Sequence, residues 1–305
     1  MSNTPHWHGV FPAVTTQLKK DQSLDLPGTA RHLEVLIKSG VTGLVMCGSL
    51  GENQALDPEE KRRVVQLAVE VADGRVTVLS GVAESSTALA IRYVKDCEKL
   101  GADGVMLMPA MLYKGDPRET TTYFRTVARN TGLPIMIYNN PLSYANDVTP
   151  EMFEELAGEK KFVALKESSG NVRRLTDLHN RVGGRFALFT GVDDLLLESA
   201  ILGIDGWVAG TGIAFPEENQ HLWELTRKQE WTKARELYRW FTPLLHLDVH
   251  SKFVQYIKLA MQECGLGSEW VRAPRLTLAG AERKQVLKII HDGIASRPKL
   301  PKRKA

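Results

Sequence analysis

Three stretches of the 305-residue chain carry side chains suited to covalent or proton-transfer chemistry. The first is Phe162-Val163-Ala164-Leu165-Lys166-Glu167-Ser168-Ser169-Gly170, where four apolar residues run straight into a lysine. The run is short and bounded by polar residues and glycine, so it predicts a buried strand. A lysine at the inner end of such a strand is costly to desolvate as a cation, and burial lowers its pKa. A neutral amine in a dry pocket is what imine formation with a carbonyl requires. The plain alternative is a lysine that snorkels out of the strand end. The second stretch is Tyr138-Asn139-Asn140-Pro141, where a phenol can both give and accept a proton. Its alternative is a tyrosine that ends a core strand. The third is Gly48-Ser49-Leu50-Gly51-Glu52-Asn53, in which two glycines bracket Ser49 and Leu50. Such a turn exposes backbone N–H groups and can form a nest for a carboxylate, against the alternative of an ordinary strand-to-helix turn. Glu52 is read as closing this turn. An amine, a proton shuttle and an anion nest on one rim make a site for a 2-oxo acid.

Something must bring these stretches to one rim. Strand-like runs recur at 9–16, 43–48, 76–82, 104–109, 134–140, 162–167, 186–191 and 206–212. Amphipathic helix patterns lie between them, at 26–38, 57–72, 86–100, 116–130, 149 onward, 171–182 and 195–202. Asp57-Pro58-Glu59-Glu60 reads as a helix start, with Asp as cap and Pro in the first turn. Eight mostly apolar strands alternating with helices predict a covered parallel sheet. Their span of roughly 210 residues fits a closed (β/α)8 TIM barrel over 8–215. An open doubly wound sheet is the runner-up. It usually carries a Gly-rich turn after its first strand, and Thr15-Thr16-Gln17-Leu18 stands here instead. From 216 to 296 only helical patterns follow, at 217–228, 231–245, 251–264 and 281–295, and they predict a C-terminal helical extension. In such a barrel the site lies at the C-terminal strand ends. That rule adds Asn140 after strand five, Gly191 after strand seven, and Gly210 and Ile213 after strand eight as pocket-lining residues.

Composition narrows the partners. A formal net charge of +3 is too mild to argue for nucleic acid. Residues 297–305 supply five positive charges and read as a solvated, disordered tail. No apolar run reaches the roughly 18 residues of a membrane span, and no signal peptide is visible. Cys47, Cys97 and Cys264 are too few and too scattered for a disulfide framework and fit reduced thiols in a cytoplasm. His246 and His250 stand four residues apart as a metal pair would, but no third ligand is evident and a helix face is the better reading. Pro5-His6-Trp7-His8 reads as an N-terminal arm, and Trp223, Trp231 and Trp240 as packing among the last helices.

With these residues in hand, the sequence resembles the dihydrodipicolinate synthase/N-acetylneuraminate lyase family of Schiff-base-forming enzymes. The matching elements are Gly48-Ser49-Leu50-Gly51-Glu52, Tyr138-Asn139-Asn140-Pro141 and Lys166-Glu167-Ser168-Ser169-Gly170, in order and in register over roughly residues 8–295. The resemblance implies a (β/α)8 barrel, a homotetramer built as a dimer of tight dimers, and no metal or organic cofactor. It implies Lys166 as the imine-forming lysine and Tyr138 as the proton shuttle. Ser49 and Leu50 become the holders of the substrate carboxylate. Three departures bear on the substrate. The synthase branch has a relay threonine where Leu50 stands, an arginine in the place of Ser143, and a tyrosine soon after the strand-four proline. Here Ala110-Met111-Leu112 follow Pro109, with Tyr113 too far along. These departures argue against dihydrodipicolinate synthase itself and toward elimination from a single substrate. The motif variants look most like the hydroxyproline-catabolic branch, Δ1-pyrroline-4-hydroxy-2-carboxylate deaminase. That branch yields 2-oxoglutarate semialdehyde with release of ammonia and loss of water. A 2-keto-3-deoxy sugar acid dehydratase or aldolase is the closest rival. A barrel that binds a metabolite without catalysis, and one that works through a metal, are the readings from other classes.

Overall fold

Helix starts in this chain are written largely as an oxygen-bearing cap followed by proline. Asp57 and Asp116 each accept a hydrogen bond from the backbone three residues on, and Glu60 and Glu119 return it in full capping boxes. Each cap is worth about 1 kcal/mol, and proline in the first turn removes a donor that has no partner there. In the computed structural model, which describes residues 5–301, these signals open α2 (Pro58–Ala72) and α4 (Pro117–Ala128), after α1 (Leu26–Lys38) and α3 (Thr87–Lys99) have opened on Asp25 and Ser86. The series continues with α5 (Pro141–Tyr144), α6 (Pro150–Leu156), α7 (Arg173–Val182) and α8 (Leu196–Ile201).

Between them run β1 (Gly9–Val10), β2 (Gly43–Met46), β3 (Thr77–Val82), β4 (Gly104–Leu107), β5 (Ile135–Asn139), β6 (Phe162–Glu167), β7 (Ala187–Thr190) and β8 (Gly206–Trp207). All neighbours are parallel, in sequence order from β2 to β8, with β8 pairing back to β1. The ring closes where the chain after β1 meets β2: Val14 N–H donates to Val45 O and Val45 N–H to Pro12 O, both at 2.9 Å. The expected (β/α)8 barrel is the fold. Two strands stop well short of the runs the sequence predicts. Strand one was expected over 9–16; Pro12 has no N–H, and the regular ladder ends at Val10. Strand eight was expected over 206–212; beyond Trp207 the amides of Gly210 and Thr211 turn to the Asp193 carboxylate instead.

The predicted helical extension follows as α9 (Pro216–Arg227), α10 (Trp231–Leu245), α11 (Phe253–Glu263) and α12 (Gly280–Ala295). Aromatic packing binds it to the barrel: Phe215 meets the Phe241 ring edge-on at 5.9 Å, and Trp240 stacks on Phe241 at 5.2 Å. Trp223 is buried and Trp231 partly so. Two terminal expectations are revised. Trp7 is no free arm; it is buried against Phe11 and above Gly104, where a Cβ would come within 2.6 Å of the indole. Arg297 is not a solvated tail residue; its guanidinium forks onto the buried Glu218 carboxylate. Residues 302–305 of the expected tail lie outside the described residues. Among the described residues no helix is long and apolar enough to cross a membrane.

Candidate active site

The barrel register sets Tyr138 and Lys166 side by side as partners on β5 and β6. Lys166 is 6 % exposed, and its Nζ lies 4.1 Å from the centre of the Tyr138 ring. Burial pushes the lysine below its usual value, against the opposing pull of Asp248, Tyr144 and Asp193. Burial likewise raises the Tyr138 phenol to about 12, and its oxygen accepts a 3.0 Å hydrogen bond from Asn140 Nδ2. Glycine at 191 leaves the lysine its path: a Cβ there would stand 2.1 Å from Lys166 Cε and 2.2 Å from Ser168 Oγ.

The turn after β2 completes the floor. Cys47 (φ 49°) and Glu52 (φ 59°) are both left-handed, a conformation that costs a non-glycine residue and persists only when its surroundings hold it. Asn53 Nδ2 holds it by donating to Cys47 O and Gly81 O, at 2.8 and 3.1 Å. Among the described residues the N–H groups of Ser49 and Leu50 donate to no carbonyl, so both are free for a carboxylate. Glu52 does close the turn, but through a longer reach than expected. Its buried carboxylate accepts from Lys258 Nζ on α11 at 2.5 Å and from Arg272 N–H at 2.9 Å.

These groups face one cavity of about 600 Å³, bordered by Gly48, Ser49, Leu50, Tyr138, Asn140, Ser143, Lys166, Gly191 and Gly210. Nine of the ten residues expected from sequence thus meet. Ile213 does not: it is fully buried, and its carbonyl is occupied at 2.9 Å by His32 Nε2. The histidine pair also separates. His246 Nδ1 pairs with Asp194 at 2.8 Å, and the His250 ring stacks on Tyr256 at 4.6 Å. Cys47 and Cys97 are buried thiols, raised by burial to about 11 and about 12.

Residues 6–292 match the Dihydrodipicolinate synthetase family. The chain belongs to that family. It is 31% identical over 269 residues to a 4-hydroxy-tetrahydrodipicolinate synthase of Methanothrix thermoacetophila, covering 88% of this chain and 90% of that one. It is 30% identical over 290 residues to the probable 2-dehydro-3-deoxy-D-pentonate aldolase YjhH of Escherichia coli K12, covering 92% and 95%. Among solved structures, YagE of Escherichia coli K12, a member of the same family in complex with pyruvate, superimposes with a TM-score of 0.87 at 29% identity, covering 94% and 99%.

Within this dihydrodipicolinate synthetase family member, the sequence reading passed over Tyr144, Asp248 and Arg275, all of which border the cavity. Tyr144 ends α5, whose first turn is capped by Asn140 with Pro141 at the next position. An Asn-Pro pair is a helix-start signal, and it was the available clue. One short turn carries the Tyr144 hydroxyl to a close hydrogen bond with Ser49 Oγ, while its ring meets Tyr138 edge-on at 5.9 Å. Tyr144 thus supplies, from the same chain, a hydroxyl beside the nest where Leu50 has none. Tyr144→Phe should lower kcat/KM for the substrate by about 1–3 kcal/mol, or about five- to a hundred-and-fifty-fold, with imine formation retained; steady-state kinetics beside borohydride trapping checks this.

Proposed function

We propose that the protein forms an imine at Lys166 and eliminates water from a single held substrate, Δ1-pyrroline-4-hydroxy-2-carboxylate, acting as its deaminase. The observation that carries the reading is the buried, pKa-lowered Lys166 amine against Tyr138, in a cavity that also presents two free amides at Ser49 and Leu50. The amides hold the substrate carboxylate. The neutral amine attacks the cyclic imine carbon C2, the ring nitrogen departs as the C5 amine, and Lys166 keeps C2 as an iminium. That positive charge acidifies C3–H; loss of this proton gives an enamine, which expels the 4-hydroxyl. After tautomerisation the C5 imine and the C2 iminium each take up water, freeing ammonia and 2-oxoglutarate semialdehyde. Two waters enter and one leaves. Leu50 and Ser143 support elimination over condensation, because neither offers the relay or the second carboxylate clamp that joining two substrates uses.

A second reading has an observation of its own. The relatives YjhH and YagE are named as 2-dehydro-3-deoxy sugar acid aldolases, and an open-chain sugar acid would meet the same amine. A homotetramer accompanies either reading, and the fully exposed Leu112 beside Tyr113 is apolar surface that such an assembly would cover.

One experiment tests both. The protein is treated with borohydride together with pyruvate or with the pyrroline, and its intact mass is read. A mass gain located on Lys166 is expected with each; an unmodified lysine sinks the imine. Ammonia release from the pyrroline, set against turnover of a 3-deoxy-2-keto sugar acid, then separates deaminase from aldolase or dehydratase.

A further inference from the structure

The elimination needs a group that protonates the departing hydroxyl, and the two carboxylates whose charges act on Lys166 differ in how they are occupied. Asp193 is fully engaged: it accepts from Trp207 Nε1 at 3.0 Å, from Gly210 N–H at 3.0 Å and from Thr211 N–H at 2.7 Å. Those bonds shape the turn after β8. Asp248 is different. It lies three residues beyond α10 and borders the cavity. A Cβ built on Gly210 would stand 2.1 Å from its Oδ1, so the carboxyl rests on that glycine at the end of β8. Among the described residues its carboxyl accepts no hydrogen bond, and its charge is felt directly by Lys166. A carboxyl that is half-buried, unpartnered and open to the cavity that holds the Lys166 amine is available to a substrate.

We propose that Asp248 is the acid–base residue of the elimination, giving a proton to the departing 4-hydroxyl and then taking one from C5. The proposal rests on the imine reading above and deepens it. The step balances. With Lys166 bonded to C2 and C3 deprotonated, the enamine pair forms C3=C4 while the C4–O bond breaks. The Asp248 O–H proton goes to that oxygen, which leaves as water, and Asp248 becomes a carboxylate. The C5 position must lose a proton before it can become the imine that water hydrolyses. The carboxylate accepts that proton and is an acid again for the next turnover. Tyr138 suits this task less, because its phenol is held near 12 and its oxygen already accepts from Asn140.

Burial, with the negative charge of Asp193 second, pushes the Asp248 carboxyl well above the usual carboxylate range, while Lys166 pulls it down and Asp194 adds to the rise. Tyr138, His250 and Arg275 border the same cavity. The acid form is the donor, so kcat falls as pH rises through the Asp248 titration. The amine must be neutral, so kcat/KM falls as pH drops through the Lys166 titration.

Asp248→Asn keeps the shape and removes the exchangeable acid. The variant should still be trapped by borohydride with pyruvate, which needs no elimination. Its kcat on the pyrroline should fall about a hundredfold to ten-thousandfold, and the high-pH limb should disappear. Trapping with the pyrroline should then capture the ring-opened adduct that has not lost water, one water heavier than the dehydrated adduct. A variant within about threefold of the parent kcat, or one that keeps the high-pH limb, overturns the assignment. So does a variant that no longer traps pyruvate, since Asp248 would then serve imine formation. Failure of the unaltered protein to trap either compound overturns the imine reading itself, and the two failures are therefore distinct.

Discussion

Gly191→Ala should cost nearly as much turnover as Lys166→Ala, although it removes no functional group. The added Cβ would lie 2.1 Å from Lys166 Cε and 2.8 Å from Lys166 Cγ, well inside contact distance. It would also come within 2.2 Å of Ser168 Oγ. The lysine stem has no slack to give, since β6 is paired on both sides along its length. The amine must therefore swing away from Tyr138, and a misplacement of about 1 Å can cost about a hundredfold in rate. A lysine turned off its strand geometry loses both its dry pocket and its angle of attack, so a loss of about 10³-fold or more in kcat/KM is expected. The methyl itself is small, and Gly191 N–H keeps its bond to Glu167 O, so the barrel should stay folded. Borohydride trapping with pyruvate, read beside circular dichroism, checks the result. Rapid trapping by a folded Gly191→Ala protein would show that the lysine does not pass over this glycine.

The second large effect concerns stability. Lys258 and Glu52 are both fully buried, and they face each other at 2.5 Å. Lys258 also donates to Trp270 O at 2.7 Å, and Arg275 stands 3.8 Å from the same carboxylate. Removing Lys258 leaves the fully buried carboxylate with only the more distant Arg275 and one backbone N–H to balance it. Lys258→Met should therefore lower the free energy of unfolding by about 3–5 kcal/mol, measured by denaturant titration. The orphaned Glu52 would pull the Ser49 turn out of place, so imine formation should slow in whatever protein remains folded. Replacing both partners, as Lys258→Met with Glu52→Leu, should recover part of that loss, because the buried ion pair is then gone although Arg272 N–H loses its acceptor. A double variant as unstable as the single one would count against a charge-burial cause.

The barrel was legible because its signals are local. Helix caps sit next to the residues they cap, and an apolar strand run needs no distant partner to be recognised. The pairing of Lys166 with Tyr138 was legible for the same reason, once β5 and β6 were placed as neighbours. What escaped depended on contacts across the fold. Asp248 sits amid His246-Leu247-Asp248-Val249-His250, where the eye goes to the histidines; only the packing after α10 turns the carboxyl between them into the cavity. Tyr144 needed a helix of four residues, too short for any periodicity to betray. Ile213 was expected in the pocket because strand eight was drawn too long, and Asp193 ended it by capturing the amides that an extended strand would have paired. Arg297 looked like tail because its composition matched its neighbours, and Glu218 that holds it lies 79 positions earlier.

The bond between Glu52 and Lys258 also orders events during synthesis. All eight strands exist once residue 207 has been made, so the barrel has everything it needs to pair. The Glu52 carboxylate that ends the Ser49 turn meets its lysine only 206 positions later. On the imine reading, the lysine and the phenol are thus encoded well before α11, which supplies the partner of Glu52.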